Sequence, residues 1–273
     1  MGFNSLFSLK DKVIVVTGGT GILGGSFVKG IADAGGIPVI LGRNAELAQQ
    51  RADEIIAIGG KAFAVVANVL EEADLVKARD SILKKFGTID GLVNGAGGNM
   101  PEGVLQPDAD IFSMNIDGMK KAMVLNVWGT IIPTQVFGAV MAKKGTGSIV
   151  NISSVSSQQA VTKVLGYSMG KAAVDCYTKW FAVEVANRFG DTIRVNSIMP
   201  GFFLTEQNRT LLTLPDGSYT DRGNLVIKNT PFKRFGKPEE LVGALIYLLS
   251  DASKFVTGMQ LGVDGGFTVF SGV

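Results

Sequence analysis

The chain has 273 residues and is nearly neutral, with a formal charge of +2 from 26 basic and 24 acidic side chains. This balance gives no reason to expect a nucleic-acid partner or an anionic membrane surface. Its one cysteine, Cys176, excludes an internal disulfide, and the absence of histidine removes His-based triads and most transition-metal sites. We therefore expect no metal centre, and the chain is compatible with a reducing compartment.

Two features of the sequence bear on where the protein works. Residues 1–12 lack the basic-then-apolar order of a signal peptide. The longest apolar stretch, around 127–142, is interrupted by Gly129, Pro133 and Gln135, which disfavours a membrane span. The sequence thus predicts a cytoplasmic protein without a membrane partner.

Apolar β-branched runs alternate with longer amphipathic segments along the chain. The runs predict strands at Val13–Val16, Val39–Leu41, Ala62–Val66, Gly91–Val93, Ser148–Ile152, Ile193–Ile198 and Gln260–Val263. The amphipathic segments predict helices at about Ile22–Ala34, Ala45–Ile58, Glu71–Phe86, Met119–Lys143, Tyr167–Phe189 and Pro238–Leu249.

This alternation predicts an α/β fold, a right-handed, doubly wound parallel sheet of Rossmann type. Hydrophobic residues form 46% of the chain and glycines number 36, which fits a sheet buried on both faces and joined by tight turns. Neither a low-complexity linker nor a repeat divides the sequence. Residues 1–273 are therefore expected to form a single domain.

Two long stretches break the alternation, Gly97–Met119 after the fourth strand and Phe202–Gly236 before the last helix. Both follow the carboxyl ends of strands, the edge at which open α/β sheets bind ligands. Long loops at that edge more often form lids and substrate walls than spacers. We expect both stretches to border a ligand site.

A glycine-rich turn, Thr17–Gly24, joins the first strand to the first helix. Glycines let the backbone turn sharply and approach a pyrophosphate, and a helix N-terminus offers unpaired N–H groups and a positive dipole end. Such a turn alone is weak evidence, but its position between strand and helix predicts a dinucleotide site. The contacts predicted in this turn are Gly18, Thr20, Gly21, Ile22 and Leu23.

A second small-residue turn, Asn94–Gly97, follows the fourth strand. Small residues here let the chain pass close to a ligand, although an ordinary glycine turn would give the same pattern. We take Asn94, Ala96 and Gly97 as candidate cofactor contacts.

Tyr167 and Lys171 share one face of a predicted helix, four residues apart. A tyrosine with a pKa near 10 is a poor acid or base at neutral pH. An ammonium about 4 Å away, at an effective dielectric constant of about 20, favours the phenolate by about 4 kcal/mol, although desolvation opposes part of this. Tyr167 could then donate a proton to a carbonyl or remove one from an alcohol. The competing interpretation is a structural tyrosine beside a solvated lysine.

Taken in order, these motifs resemble the short-chain dehydrogenase/reductase family over essentially the whole chain. Ser154 precedes Tyr167 by thirteen residues, the family's spacing, which selects it over Ser153. The matching segments are Thr17–Gly24, Asn94–Gly97, Asn126, Ser154, Tyr167, Lys171 and Pro200–Thr205.

The resemblance implies a nicotinamide-dependent oxidoreductase. In that family the serine holds the substrate oxygen, here Ser154, and the tyrosine, here Tyr167, is the acid and base. Lys171 is implied to lower the pKa of the tyrosine and to bind the nicotinamide ribose, and Asn126 to anchor a proton-relay water. The segment implied to lie against the nicotinamide contributes Pro200, Gly201, Phe203 and Thr205.

The sequence departs from the family pattern at two positions. Ile22 stands where the phosphate turn usually has glycine, and Asn68 stands where an aspartate often faces the adenine. An amide can still donate and accept hydrogen bonds, so Asn68 and Val69 remain predicted adenine contacts.

The end of the second strand bears on the choice of cofactor. NAD-preferring sites generally place an acidic residue there to bind the ribose 2′-hydroxyl. This chain has Gly42, followed by Arg43 and Asn44, and the arginine could pair with a 2′-phosphate. We therefore predict NADP(H), with NAD(H) as the alternative, and count Arg43 and Asn44 among the cofactor contacts.

The C-terminal third is similar to the D-mannonate oxidoreductase (fructuronate reductase) branch of the family, in Pro200–Arg209, Arg234–Pro238 and Val263–Phe267. That resemblance implies a sugar-acid substrate, with Arg209 predicted to bind its carboxylate and Lys163 as the alternative. The predicted substrate contacts are Asn99, Ser154, Gln158, Asn208 and Arg209.

Other functions remain open on the same scaffold. They are a different polyol or keto-gluconate dehydrogenase, a 3-oxoacyl thioester reductase, and a non-catalytic cofactor-binding protein. In the family, the helices at Met119–Lys143 and Tyr167–Phe189 pack against symmetry mates. Here they carry more large apolar residues than one core face needs, so we expect a homotetramer; these residues include Trp128, Phe137, Trp180 and Phe181.

Overall fold

Parallel strands form one sheet in the computed structural model, which describes residues 3–106, 108–205 and 208–272. The strands are β1 Val13–Thr17, β2 Ile37–Gly42, β3 Phe63–Val66, β4 Gly91–Asn94, β5 Gly147–Ile152, β6 Ile193–Pro200 and β7 Gln260–Val263. Their spatial order is β3-β2-β1-β4-β5-β6-β7. The predicted strands and the doubly wound parallel sheet are confirmed.

The helices lie between these strands. They are α1 Phe3–Leu6, α2 Ile22–Asp33, α3 Ala45–Ala57, α4 Glu72–Phe86, α5 Ile116–Lys144, α6 Leu165–Phe189, α7 Arg209–Leu212, α8 Asp221–Asn229 and α9 Val242–Leu249. Each predicted helix is present, although the last begins as a 3-10 segment, Pro238–Leu241, that continues into α9.

Both faces of the sheet are covered, because successive residues of a strand point to opposite sides. Val15 packs in the core layer that includes Phe137 of α5, whereas its neighbour Val16 packs in the layer that includes Phe27 of α2 and Leu245 of α9. The near-continuous burial of β1, β2, β4 and β6 follows from this arrangement.

The described residues of the stretch taken from the sequence as a loop, 202–205 and 208–236, contain α7 and α8. Both helices are too short to give a strong periodic signal, but α8 has an N-cap, Thr220, whose side chain accepts from Gly223 N. A separate buried apolar cluster holds this part of the chain together; its members are Leu212, Val226 and Phe235. We refer to residues 202–205 and 208–236 as the lid.

Helix α5 is, among the described residues, the one helix long and apolar enough to cross a membrane by length and composition alone. Its Phe137 and Met141 are fully buried in the core, and it packs along α6 and β4. Asn126 and Thr130 on its inner face are buried and hydrogen bonded. These contacts are those of the core helix of an α/β domain.

Candidate active site

Two connected depressions lie at the carboxyl edge of the sheet. A groove of about 910 Å³ runs over the ends of β1 and β2, and a cavity of about 230 Å³ lies over β5 and β6. Gly95 and Gly97, in the turn after β4, line both. A ligand as long as a dinucleotide can therefore extend from one depression into the other.

Ser154, Tyr167 and Lys171 all line the cavity. Ser154 follows the end of β5 and opens a 3-10 segment, where its Oγ accepts a hydrogen bond of 3.2 Å from Ser156 N. The other two lie one turn apart on α6, so the lysine Nζ is 5.6 Å from the centre of the tyrosine ring. That Nζ also donates a hydrogen bond of 2.7 Å to Ile152 O, which fixes it at the end of β5.

The pKa shifts in this trio differ from the expectation that Lys171 lowers the pKa of Tyr167. Burial raises the pKa of Tyr167, and hydrogen bonding with Ser154 opposes that shift only in part. Burial also lowers the pKa of Lys171 to about 8, with the Asp175 carboxylate acting in the opposite direction. Desolvation is the largest influence on the pKa of both groups, so Tyr167 is a neutral phenol, able to donate a proton.

The side chain of Asn126 does not reach the cavity. Its Oδ1 accepts from Gly98 N at 3.1 Å, and its Nδ2 donates to Gly98 O at 2.6 Å and to Ala122 O at 2.8 Å. With these bonds the amide has used both of its N–H groups. Asn126 thus holds Gly98 against α5, and its amide has no N–H group left to donate to a relay water.

The phosphate turn has the geometry of an anion site. Gly21 is the N-cap of α2, and the first N–H groups of a helix have no partner within it. A Cβ on Gly24 would lie 2.1 Å from Gly18 O, so the turn can close this tightly onto the helix only around a glycine. Gly18, Thr20 and Gly21 line the groove, and Leu23 lines the cavity.

The other predicted cofactor contacts divide into those that face the site and those that do not. Ile22 is outside the lining, although its main chain begins α2. Asn44 caps α3 by accepting from Leu47 N, and Asn94 is buried, where its Nδ2 donates to Thr134 and Asn151. The contacts that line the groove or cavity are Arg43, Asn68, Val69, Ala96, Gly97, Pro200, Gly201, Phe203 and Thr205.

The substrate side differs more from the sequence-based prediction. Asn99 and Asn208 line the cavity, but Gln158 and Arg209 are exposed and lie outside its lining. Gln158 instead donates to Asp175 of α6. The arginine that does line the cavity is Arg222 in the first turn of α8, which the sequence analysis missed because it treated this stretch as a loop. The Thr220-Asp221 capping signal was the available clue.

In the described part of the chain, no group of three or more acidic or cysteine side chains is placed to hold a metal ion. The cavity itself presents a phenol, an ammonium and hydroxyl groups, and it lies beside the groove. Together, the fold and the site define an oxidoreductase that uses a nicotinamide dinucleotide.

Known proteins agree with this class. The model of the family described as enoyl-(acyl carrier protein) reductase, a short-chain dehydrogenase/reductase model, matches residues 21–268. The oxidoreductase UxuB of Bacillus subtilis is 42% identical, over 97% of this chain and 98% of its own. The chain therefore belongs to the short-chain dehydrogenase/reductase family.

Two solved structures extend the comparison. A Haemophilus influenzae protein that carries the provisional name D-mannonate oxidoreductase, crystallised with NAD, is 40% identical over 100% of both chains, with a TM-score of 0.89. A gluconate 5-dehydrogenase from Burkholderia cenocepacia, in complex with NADP and tartrate, is 34% identical, over 98% of this chain and 99% of its own, with a TM-score of 0.86.

Proposed function

We propose that the protein interconverts a sugar-acid ketone and its alcohol, with D-fructuronate and D-mannonate as the pair. The observation that carries the proposal is the convergence of Ser154, Tyr167 and Lys171 on a cavity that opens onto the dinucleotide groove. The sugar-acid class is supported by the relatives, one named for D-mannonate and another a gluconate 5-dehydrogenase with bound tartrate.

The residues of the cavity divide the work in this proposal. The dinucleotide supplies or accepts the hydride. Ser154 holds the substrate oxygen by a hydrogen bond, and Tyr167 gives its phenolic proton to that oxygen in reduction or takes it back in oxidation. The Lys171 ammonium stabilises the phenolate that reduction leaves behind. Asn99 keeps its amide N–H₂ for a substrate hydroxyl, since its Oδ1 accepts from Met100 N.

The pKa of Lys171 predicts how activity depends on pH. The ammonium is present below about pH 8 and is lost as the pH rises through that value. In the reduction direction Tyr167 stays protonated throughout this range, because burial raises its pKa. We therefore expect kcat/KM for the reduced cofactor to fall as the pH rises above about 8, a dependence that reports groups of the free enzyme.

Asp175 provides the matched variant for the pH profile. Its buried carboxylate favours the charged lysine, so Asp175→Asn should move the alkaline limb to lower pH. Stopped-flow or steady-state rates between pH 6 and 10 give the pH profile of the wild type and of the variant. An alkaline limb that stays in place in the variant would show that another group controls it.

The function is tested by following nicotinamide absorbance with D-fructuronate, 5-ketogluconate, neutral ketoses and a 3-oxoacyl thioester. We expect the highest kcat/KM with D-fructuronate. A preference for a neutral ketose or the thioester overturns the substrate class, and cofactor binding without turnover of any compound would indicate a non-catalytic binding protein.

We also propose NADP(H) as the preferred cofactor. Arg43 is exposed and lines the groove directly after Gly42, the position at which NAD-preferring sites generally carry an acidic residue. Its guanidinium is suited to a 2′-phosphate. The assay above, run with NADPH and NADH, tests this, and a higher kcat/KM with NADH reverses the preference.

We propose further that the protein is a cytoplasmic homotetramer. Trp128 on α5 is 51% exposed and Trp180 on α6 is 60% exposed, with Val183 exposed beside the latter. Apolar surface of this size on neighbouring helices favours an interface. We expect Trp180→Lys to lower the mass measured by light scattering, and a monomeric wild-type protein at micromolar concentration would refute the assembly.

A further inference from the structure

We propose that Arg222 binds the carboxylate of the substrate and that Thr162 positions it for this role. The inference rests on the proposed sugar-acid function and assigns its specificity to a residue of the lid. Among the described residues, Arg222 and Lys171 are the cations that line the cavity. Because Lys171 is held at Ile152 O beside the reacting phenol, Arg222 is the one available for a distant anionic group.

The guanidinium of Arg222 is hydrogen bonded to Thr162 but retains N–H groups that have no partner in these two bonds. Its Nη1 donates to Thr162 Oγ at 3.2 Å, and its Nη2 donates to Thr162 O at 3.0 Å. A guanidinium has five N–H groups in a fixed planar fork, so three remain after these two bonds. That is enough for a carboxylate to be bound through two parallel hydrogen bonds.

The backbone beneath Arg222 is also fixed. A Cβ on Gly223 would lie 2.2 Å from Leu212 O, so α8 can pack this closely on α7 only because that residue is glycine. Thr220 ties the start of α8 to α7 through bonds from its N to Leu212 O and from its Oγ to Leu211 O. The backbone that carries the arginine is therefore fixed before a ligand binds, which lowers the conformational entropy lost on binding.

The charge of Arg222 is uncompensated within the described part of the protein, where no carboxylate lies within 4 Å of its guanidinium. Partial burial lowers its pKa, but a guanidinium remains charged at neutral pH. A partly desolvated cation that has no carboxylate partner among the described residues favours an anionic ligand, and the interaction is stronger there than in water. Thr162 lies only five residues before Tyr167, so this cation is tied to the catalytic helix.

The experiment compares D-fructuronate with D-fructose, in which a hydroxymethyl group replaces the carboxylate. In Arg222→Met we expect KM for D-fructuronate to rise about 10–100-fold with kcat changed little, because the carboxylate is remote from the reacting carbon. The kinetics of D-fructose should stay unchanged, and Arg222→Lys should recover part of the loss. Arg209→Met, which removes an exposed arginine of the same lid, is the matched control and should behave as wild type.

The possible outcomes separate the two proposals. If the wild type reduces D-fructuronate and Arg222→Met leaves its KM unchanged, the carboxylate role is wrong and the function stands. Equal losses on acid and neutral substrates would show a structural role for Arg222 and would also overturn the inference. A wild type that reduces only neutral ketoses contradicts the function, and the carboxylate site with it. Thermal unfolding of each variant establishes that it is folded.

Discussion

Replacing Tyr167 with phenylalanine should lower kcat by at least about a hundredfold, the usual scale of general acid–base catalysis, while cofactor affinity stays near that of the wild type. The substitution removes one hydroxyl and keeps the ring that fills its place over Lys171. Because the proton transfer occurs in the transition state, the loss should fall on kcat rather than on KM. Single-turnover rates and fluorescence titration with the reduced cofactor measure the two quantities separately.

The same helix offers a matched control. Tyr177 lies ten residues further along α6, half-buried and stacked on Phe181, and it does not line the cavity. Tyr177→Phe removes an identical hydroxyl outside the site and should leave kcat within about threefold of wild type. Turnover at the wild-type rate in Tyr167→Phe would mean that another group transfers the proton.

Replacing Gly24 with alanine should both destabilise the fold and weaken cofactor binding. The added Cβ would meet Gly18 O at 2.1 Å, a contact with backbone that no side-chain rotation relieves. Overpacking of this kind costs about 3 kcal/mol. For a chain of this size that cost corresponds to a drop in Tm of roughly 6 °C or more. Since α2 must move away from the turn, the cofactor Kd should rise at least about tenfold.

Gly243 in α9 is the control for this substitution, because a Cβ there meets nothing within 4 Å. Gly243→Ala should stabilise the protein by up to about 1 kcal/mol, since alanine is the better helix former. Calorimetry and cofactor titration of both variants decide the matter. A Gly24→Ala protein with wild-type Tm and Kd is incompatible with the tight turn described here.

The fold was predictable from the sequence because its signals are local and repeated. The buried strands are apolar runs bounded by turns. The helices between them begin after capping residues, such as Asn44, that can be recognised in the sequence. The parallel arrangement then determines which ends of the strands meet, and therefore where the ligand edge lies. The positions of the trio on α6 and after β5 follow from that register.

The structure places several of the predicted contacts away from the cavity and the groove, because sequence alone does not show which partner a polar side chain takes. In sequence, an asparagine near the ligand edge looks the same whatever its side chain contacts. The structure shows that Asn44 caps a helix and that Asn94 joins a strand to a helix. The sequence-based choice lay between Arg209 and Lys163. The position of Arg222 depends on how the lid folds back onto Thr162, sixty residues earlier. The direction in which the pKa of Tyr167 shifts depends on its burial, and burial cannot be inferred from the spacing of residues along a helix.

The lid has its own apolar cluster, Leu212, Val226 and Phe235, apart from the two layers that hold the sheet together. Substitutions in residues 208–229 therefore act on a unit whose stability is largely separate from that of the domain. Under the role proposed for Arg222, the residues that select the substrate can change while the sheet, the dinucleotide groove and the proton donor stay as they are.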